Sequence, residues 1–288
     1  MKEIVILSGK GGTGKTSIAA SFAYLAKNDL VLADCDVDAA NMHIILDADF
    51  GQSTDFYSGK LAVVDSDKCI ECGKCLEACH FNAISQNFTV NPLDCEGCGY
   101  CQKVCPSDAI SFKDCLTGQW FLSKTRMNSD LIHARLSIGA DNSGKLVALV
   151  KKEARKQAEK NNASYILVDG SPGIACPVIS SLSGADFVVL VTEASLSGFS
   201  DLKRVYELVR SFKIKAACII NKVDINLEVA EEIRLFLDQQ GIEHLASLPY
   251  DESFSKAMKI NKTVLEYDNS DLKKKIEYSW NKIKTLIK

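Results

Sequence analysis

Gly9-Lys10-Gly11-Gly12-Thr13-Gly14-Lys15-Thr16 fits the pattern G-x-x-x-x-G-K-[ST] at every position. A short apolar run, Ile4–Ser8, precedes it, and Thr16–Lys27 reads as a helix behind it. Strand before and helix after is the context in which this pattern cradles phosphate. Glycines let the backbone curl so that successive N–H groups face phosphate oxygens, and the helix N-terminus adds partial positive charge. The candidate nucleotide-binding residues are therefore Gly11, Gly12, Thr13, Gly14, Lys15, Thr16 and Ser17. Lys15 is expected to reach the β- and γ-phosphates, and the Thr16 hydroxyl to ligate Mg²⁺.

Working outward, the apolar run Leu30–Ala33 completes the first strand–helix–strand unit. Further apolar runs fall at Tyr165–Val168, Phe187–Val191 and Ala216–Ile220. Helical segments lie among them at Lys145–Lys160, Pro177–Leu182, Phe199–Phe212 and Leu227–Gln240. Strands apolar along their whole length, alternating with helices, predict an α/β fold with a mostly parallel sheet flanked by helices. The length of 288 residues suits one large domain or two smaller ones. A net charge of −3 supplies no basic field for nucleic acid. No apolar run approaches the roughly 20 residues of a membrane span. Glu3 and Gly9 interrupt the start of the chain, so no secretory leader is read and a cytoplasmic location is expected.

Between about Leu61 and Cys115 the α/β pattern breaks. Eight of the 12 cysteines fall there, as Cys69-x₂-Cys72-x₂-Cys75-x₃-Cys79 and again as Cys95-x₂-Cys98-x₂-Cys101-x₃-Cys105. A disulfide framework suits a short secreted domain, which this chain is not; clustered thiols in a reducing compartment point to metal. Twice-repeated C-x₂-C-x₂-C-x₃-C resembles the bacterial two-cluster ferredoxins. The resemblance implies that Cys69, Cys72, Cys75 and Cys105 bind one [4Fe–4S] cluster, and Cys79, Cys95, Cys98 and Cys101 the second. Zinc is the rival occupant, but it has no use for the third cysteine of each run. Pro106 follows the second run, whereas His80 takes the matching place in the first.

Lys10 is a second lysine inside the phosphate loop, and Lys10-Gly11-Gly12-Thr13-Gly14-Lys15-Thr16 resembles the deviant Walker motif of the MinD/ParA family of P-loop ATPases. That resemblance implies ATP and ADP as ligands and a nucleotide-dependent homodimer in which Lys10 reaches the partner's nucleotide. Asp34-Cys35-Asp36-Val37-Asp38 falls where the family's first switch lies, with Asp36 expected to orient the attacking water; Asp34 and Asp38 read equally as turn residues. Val168-Asp169-Gly170-Ser171-Pro172-Gly173 resembles the Walker B strand and second switch, with Asp169 holding Mg²⁺ through its water shell; the family more often has Pro-Pro-Gly there. Asn221-Lys222-Val223-Asp224 resembles the base-recognition segment, with Asn221 on adenine, and Pro249-Tyr250-Asp251 a loop covering the base through Pro249 and Asp251. Lys10, Lys15 and Asp36 are thus the candidate catalytic residues.

The expected organisation is a MinD-like ATPase domain from residues 1–60 and 116–288 with a small α+β bacterial-type ferredoxin domain, 61–115, inserted between the two switches. Three functions compete: electron transfer through two clusters coupled to ATP hydrolysis, ATP-dependent assembly or delivery of iron–sulfur or related clusters, and positioning on membrane or DNA. The last has no need of eight cluster cysteines. The first two call for an acceptor protein, redox partner or cluster client, and no nucleic acid. Leu272, Ile276, Trp280, Ile283 and Ile287 recur at helical spacing among six lysines, which suits either a lipid-binding helix or a final helix packed on the sheet.

Overall fold

The structure, a computed structural model, describes residues 1–137, 139–140, 143–267 and 271–288. In chain order the elements begin β1 (Lys2–Leu7), α1 (Lys15–Ala26), β2 (Leu30–Asp34), α2 (Met42–Ile45), β3 (Gln52–Val64), α3 (Lys74–Ala78) and α4 (Tyr100–Val104). They continue β4 (Ile110–Lys124), β5 (Asp130–Leu136), α5 (Ser143–Asn161), β6 (Tyr165–Asp169), α6 (Cys176–Leu182), β7 (Phe187–Glu193) and α7 (Leu196–Ser211). Last come β8 (Lys215–Asn221), α8 (Leu227–Gln240), β9 (Glu243–Ser247), α9 (Ser253–Met258), α10 (Val264–Tyr267) and α11 (Asp271–Leu286). The chain divides into two compact units, one of Met1–Thr54, Trp120–Arg135 and Ser143–Lys288, the other of Asp55–Gln119 and Leu136–Asn142.

The sheet runs in the order β3-β4-β5-β2-β6-β1-β7-β8-β9. β1 lies parallel between β6 and β7, with Ile4 opposite Leu167 and Phe187. β5 and β6 flank β2, and β8 and β9 follow β7, all parallel. The strands expected from continuous apolar runs are β1, β2, β6, β7 and β8, buried along most of their length as such runs require. Register then gathers chemistry at the carboxyl edge. Asp34 stands opposite Asp169, and Glu193 opposite Asn221. Ligands of open α/β sheets bind at that edge.

The apolar stripe of α11 is spent inside the chain. Leu272, Ile276, Trp280, Ile283 and Ile287 are buried, with Trp280 against Phe22 at 5.4 Å and Tyr165 at 5.7 Å between ring centroids. Of the two readings of the lysine-rich terminus, packing on the sheet is the one the structure shows. Among the described residues no helix is long and apolar enough to cross a membrane.

The sequence reading did not anticipate β3, β4, β5 and β9. β3 and β4 form a ribbon with Lys60 on Asp114 and Gln119 on Asp55, partners whose numbers rise on one strand as they fall on the other, as in antiparallel pairing. β3 is largely exposed, so it lacks the continuous apolar run that marks the central strands.

Inside the second unit the cysteine repeat is also a backbone repeat. Positive φ recurs at Glu71 and Gly97, at Gly73 and Gly99, and at Asn82 and Asp108. Gly73 and Gly99 each open a five-residue helix, α3 and α4. Gly97 has a second reason to be glycine: a Cβ there would stand 2.2 Å from the Lys60 carbonyl oxygen. Ala83 N–H donates to Cys79 Sγ and Ala109 N–H to Cys105 Sγ, both at 3.4 Å. The buried hydrophobic residues of Asp55–Gln119 are Ala62, Cys75, Ala83, Ile84, Ala109 and Ile110. That is a small core for a unit of this size, one to which a metal or disulfide staple would add stability.

Candidate nucleotide-binding site

β1 delivers the chain to the phosphate loop and α1 leaves it. Gly14, the residue before α1, has φ 94°, and a Cβ on it would lie 2.5 Å from Asn221 Nδ2. Only glycine meets both demands. A cleft of about 720 Å³ opens over the loop, within the usual range for small-molecule sites. Gly11, Gly12, Thr13, Gly14, Lys15, Thr16 and Ser17 line it, with Asp36, Asn221, Tyr250 and Asp251. Pro249 and Lys10 are not among the residues facing the cleft.

Lys15 and the acids form one buried cluster. Lys15 Nζ lies 2.5 Å from Asp169 Oδ1 and 3.8 Å from Asp36 Oδ2. Burial alone would lower the Lys15 pKa, but Asp169, Asp36 and Asp34 outweigh it and hold the ammonium above its ordinary value. Asp169 Oδ2 is buried without a hydrogen-bond partner. An orphaned buried carboxylate oxygen suits a divalent cation whose other ligands are water and phosphate, so Asp169 fits Mg²⁺. Burial raises Asp34 and Asp36 above the ordinary carboxylate range. Asp34 is not a loose turn residue: it is fully buried, and its two oxygens accept the N–H groups of Asp36 and Met42 at 3.2 and 3.1 Å.

The segments that follow β2 and β6 are stitched together. Cys35 N–H donates to the Asp169 carbonyl at 2.8 Å, and the buried Ser171 hydroxyl donates to the Cys35 carbonyl at 2.6 Å. The serine that departs from Pro-Pro-Gly thus makes a bond proline cannot.

Asn221 is turned toward the loop, its Nδ2 donating to the Thr13 carbonyl at 2.8 Å. Lys222 straps the loop as well, donating to the Gly12 carbonyl at 2.9 Å and pairing with Glu193 Oε2 at 3.1 Å. Lys10 pairs with the other oxygen of Glu193 at 2.7 Å. Burial works against the charge on Glu193, but the two ammonium groups outweigh it and hold the carboxyl below its usual range. Glu193 and the strap role of Lys222 went unread in the sequence. Their signal is the pairing of β7 with β8, which sets Glu193 beside Asn221-Lys222.

Over residues 4–264 the chain matches the CobQ/CobB/MinD/ParA nucleotide binding domain. It belongs to that family. Among its relatives, an uncharacterized protein of Methanocaldococcus jannaschii is 32% identical over 287 residues, covering 99% of this chain and 97% of that one. The septum site-determining protein MinD of Pyrococcus horikoshii, solved with Mg-ADP, has a TM-score of 0.61 at 17% identity, covering 99% of this chain and 96% of that one. Cyanothece McdA, solved with ATP, gives the same score, identity and coverage. These two are likenesses of fold.

Membership in the CobQ/CobB/MinD/ParA family does not account for the thiols of the second unit. One cavity there is lined by Cys69, Cys72, Cys75 and Cys105, and another by Cys79, Cys95, Cys98 and Cys101. Each takes its fourth thiol from the other repeat. Burial pushes the Cys75 thiol up, and nearby Cys69 and Cys105 add to it; Cys101 is raised in the same way, with Cys95, Cys98 and Cys79 as its neighbours. All 12 cysteines are free thiols. Among the described residues no three His, Cys, Asp or Glu side chains converge where a single metal ion would sit.

Proposed function

We propose that the chain is an ATP-binding and ATP-hydrolysing iron–sulfur protein that couples nucleotide state to electron transfer through two [4Fe–4S] clusters. The observation that carries the reading is the two thiol-lined cavities, each closed by a cysteine from the opposite repeat. Four thiols around each cavity, the third cysteine of each run among them, suit a cubane better than a zinc site. The small apolar core of this unit gives the clusters a structural role besides. When bound, each cluster would supply a one-electron redox centre.

On the nucleotide side, Lys15 would leave Asp169 for the β- and γ-phosphates. The freed Asp169 carboxylate would hold Mg²⁺ through its water shell, and the Thr16 hydroxyl would ligate the ion. Asp36, on the opposite switch, orients the attacking water. Lys222 and Asn221 keep the loop in shape from the base side, with Tyr250 and Asp251 covering it. Lys10 acts on the nucleotide of a second copy in a nucleotide-dependent homodimer. The reducing cytoplasm, where free thiols persist, is the proposed setting, with an acceptor protein receiving the electron.

Ligand sets complete within one chain favour resident clusters and electron transfer over delivery of a labile cluster. Iron and sulfide analysis of anaerobically purified protein tests the reading. It predicts about eight irons and eight sulfides per chain, with Mg²⁺-dependent ATP hydrolysis in the same sample. Zinc in place of iron, or iron lost stoichiometrically to an acceptor during turnover, contradicts it.

A further inference from the structure

Glu193 ends β7 with its carboxylate between two lysines that have different tasks. Oε1 lies 2.7 Å from Lys10 Nζ, and Oε2 lies 3.1 Å from Lys222 Nζ. Lys10 also donates to Ser197 Oγ at 2.7 Å and Ser195 Oγ at 3.3 Å. Its ammonium is therefore fully engaged within its own subunit. An ammonium so held cannot at the same time reach a phosphate on a second copy. Lys222 is anchored separately, through the Gly12 carbonyl. When Lys10 leaves, Glu193 keeps Lys222, so no half-buried carboxylate is stranded without a partner. Stranding one is what makes breaking an ion pair costly. Leu196, between the two serines in sequence, is 75% exposed.

We propose that Glu193 is a positioning residue that retains Lys10 on its own subunit until a nucleotide-loaded second copy draws the lysine across. Glu193 thereby sets how strongly pairing depends on nucleotide. The inference rests on the reading that Lys10 acts in trans. The pairing-competent form is the fraction of chains with Lys10 released, and apparent affinity scales with that fraction.

The test compares wild type with Glu193→Gln, which keeps an acceptor for Lys222 but removes the charge that holds Lys10. In the nucleotide-free chain, modification of Lys10 by an amine-acylating reagent is followed by mass spectrometry. Self-association is measured by light scattering with Mg²⁺ and a non-hydrolysable ATP analogue. Glu193→Gln is expected to acylate at Lys10 about threefold faster, because the amine is no longer held in an ion pair. It is expected to dimerise at about fivefold lower concentration. Ser197→Ala, which leaves Glu193 and Lys222 untouched, should shift both in the same direction by less. Unchanged Lys10 reactivity, or pairing no tighter than wild type, overturns the proposal. Lys10→Ala separates the two levels. If it pairs and hydrolyses normally, the trans reading itself fails. If it loses both while Glu193→Gln pairs as wild type does, only the role of Glu193 fails.

Discussion

Replacing Lys10 by alanine removes an ammonium that faces Glu193 and two serines and does not line the nucleotide cleft. Binding within one chain should therefore survive, and turnover should not. A cation supplied across an interface meets charge developing in the transition state, and losing one costs on the order of 10³–10⁵ in rate. Lys10→Ala is expected to bind ATP within about tenfold of wild type by equilibrium titration and to lose phosphate release by that factor. Ser171 allows a subtler test. Its hydroxyl joins the segment carrying Asp36 to the segment carrying Asp169. Ser171→Ala leaves the Cys35 carbonyl without that donor and loosens the relative placement of the two acids, so kcat should fall about tenfold with KM nearly unchanged. Ser171→Thr, which keeps a hydroxyl, should retain most of the rate. A fall in both variants, or a change confined to KM, contradicts the assignment. The phosphate-loop residues were legible because their spacing is local. Glu193, Lys222 and the Ser171 tie were not, because each depends on which strands pair.

The central strands could be read because burial on both faces demands an unbroken apolar run, as in Ile4–Leu7 and Val188–Val191. β3 and β4 escaped because a ribbon with an exposed face needs no such run. α11 could be read as a helix but not assigned a neighbour, since an apolar stripe fits sheet or lipid equally; the contacts of Trp280 choose the sheet. The cysteine repeats were legible in spacing, and their crossing is the point most open to test. Cys79 follows α3 yet lines the cavity of Cys95, Cys98 and Cys101, while Cys105 follows α4 and lines the other. Cys79→Ser is expected to alter the paramagnetic resonance of the centre that Cys98→Ser alters, and Cys105→Ser that of the Cys72→Ser centre. Agreement of Cys79→Ser with Cys72→Ser would contradict the crossed ligand sets.

At the scale of the molecule, the chain enters the thiol-bearing unit after β2 and leaves it before β6. Within the nucleotide-binding unit, one of the acids adjoins an aromatic stack. Asp34 accepts the N–H of Met42, and the next residue, His43, stacks on His133 at 5.3 Å. His133 stacks in turn on Phe121 of β4 at 5.0 Å. Rearrangement of the acids on binding Mg-ATP would bear on that stack. Such couplings are typically about 1–3 kcal/mol, and 59 mV corresponds to about 1.4 kcal/mol for one electron. Cluster potential responds to solvent exposure and to hydrogen bonds on sulfur, such as those from Ala83 and Ala109. The most direct measurement is a redox titration of the iron-loaded protein with and without a non-hydrolysable ATP analogue and Mg²⁺. The account predicts a shift of roughly 50–130 mV in at least one cluster, matched by the same factor in analogue affinity between oxidised and reduced protein. Potentials and affinities that coincide in both comparisons would contradict the claim that nucleotide state and cluster redox state are coupled.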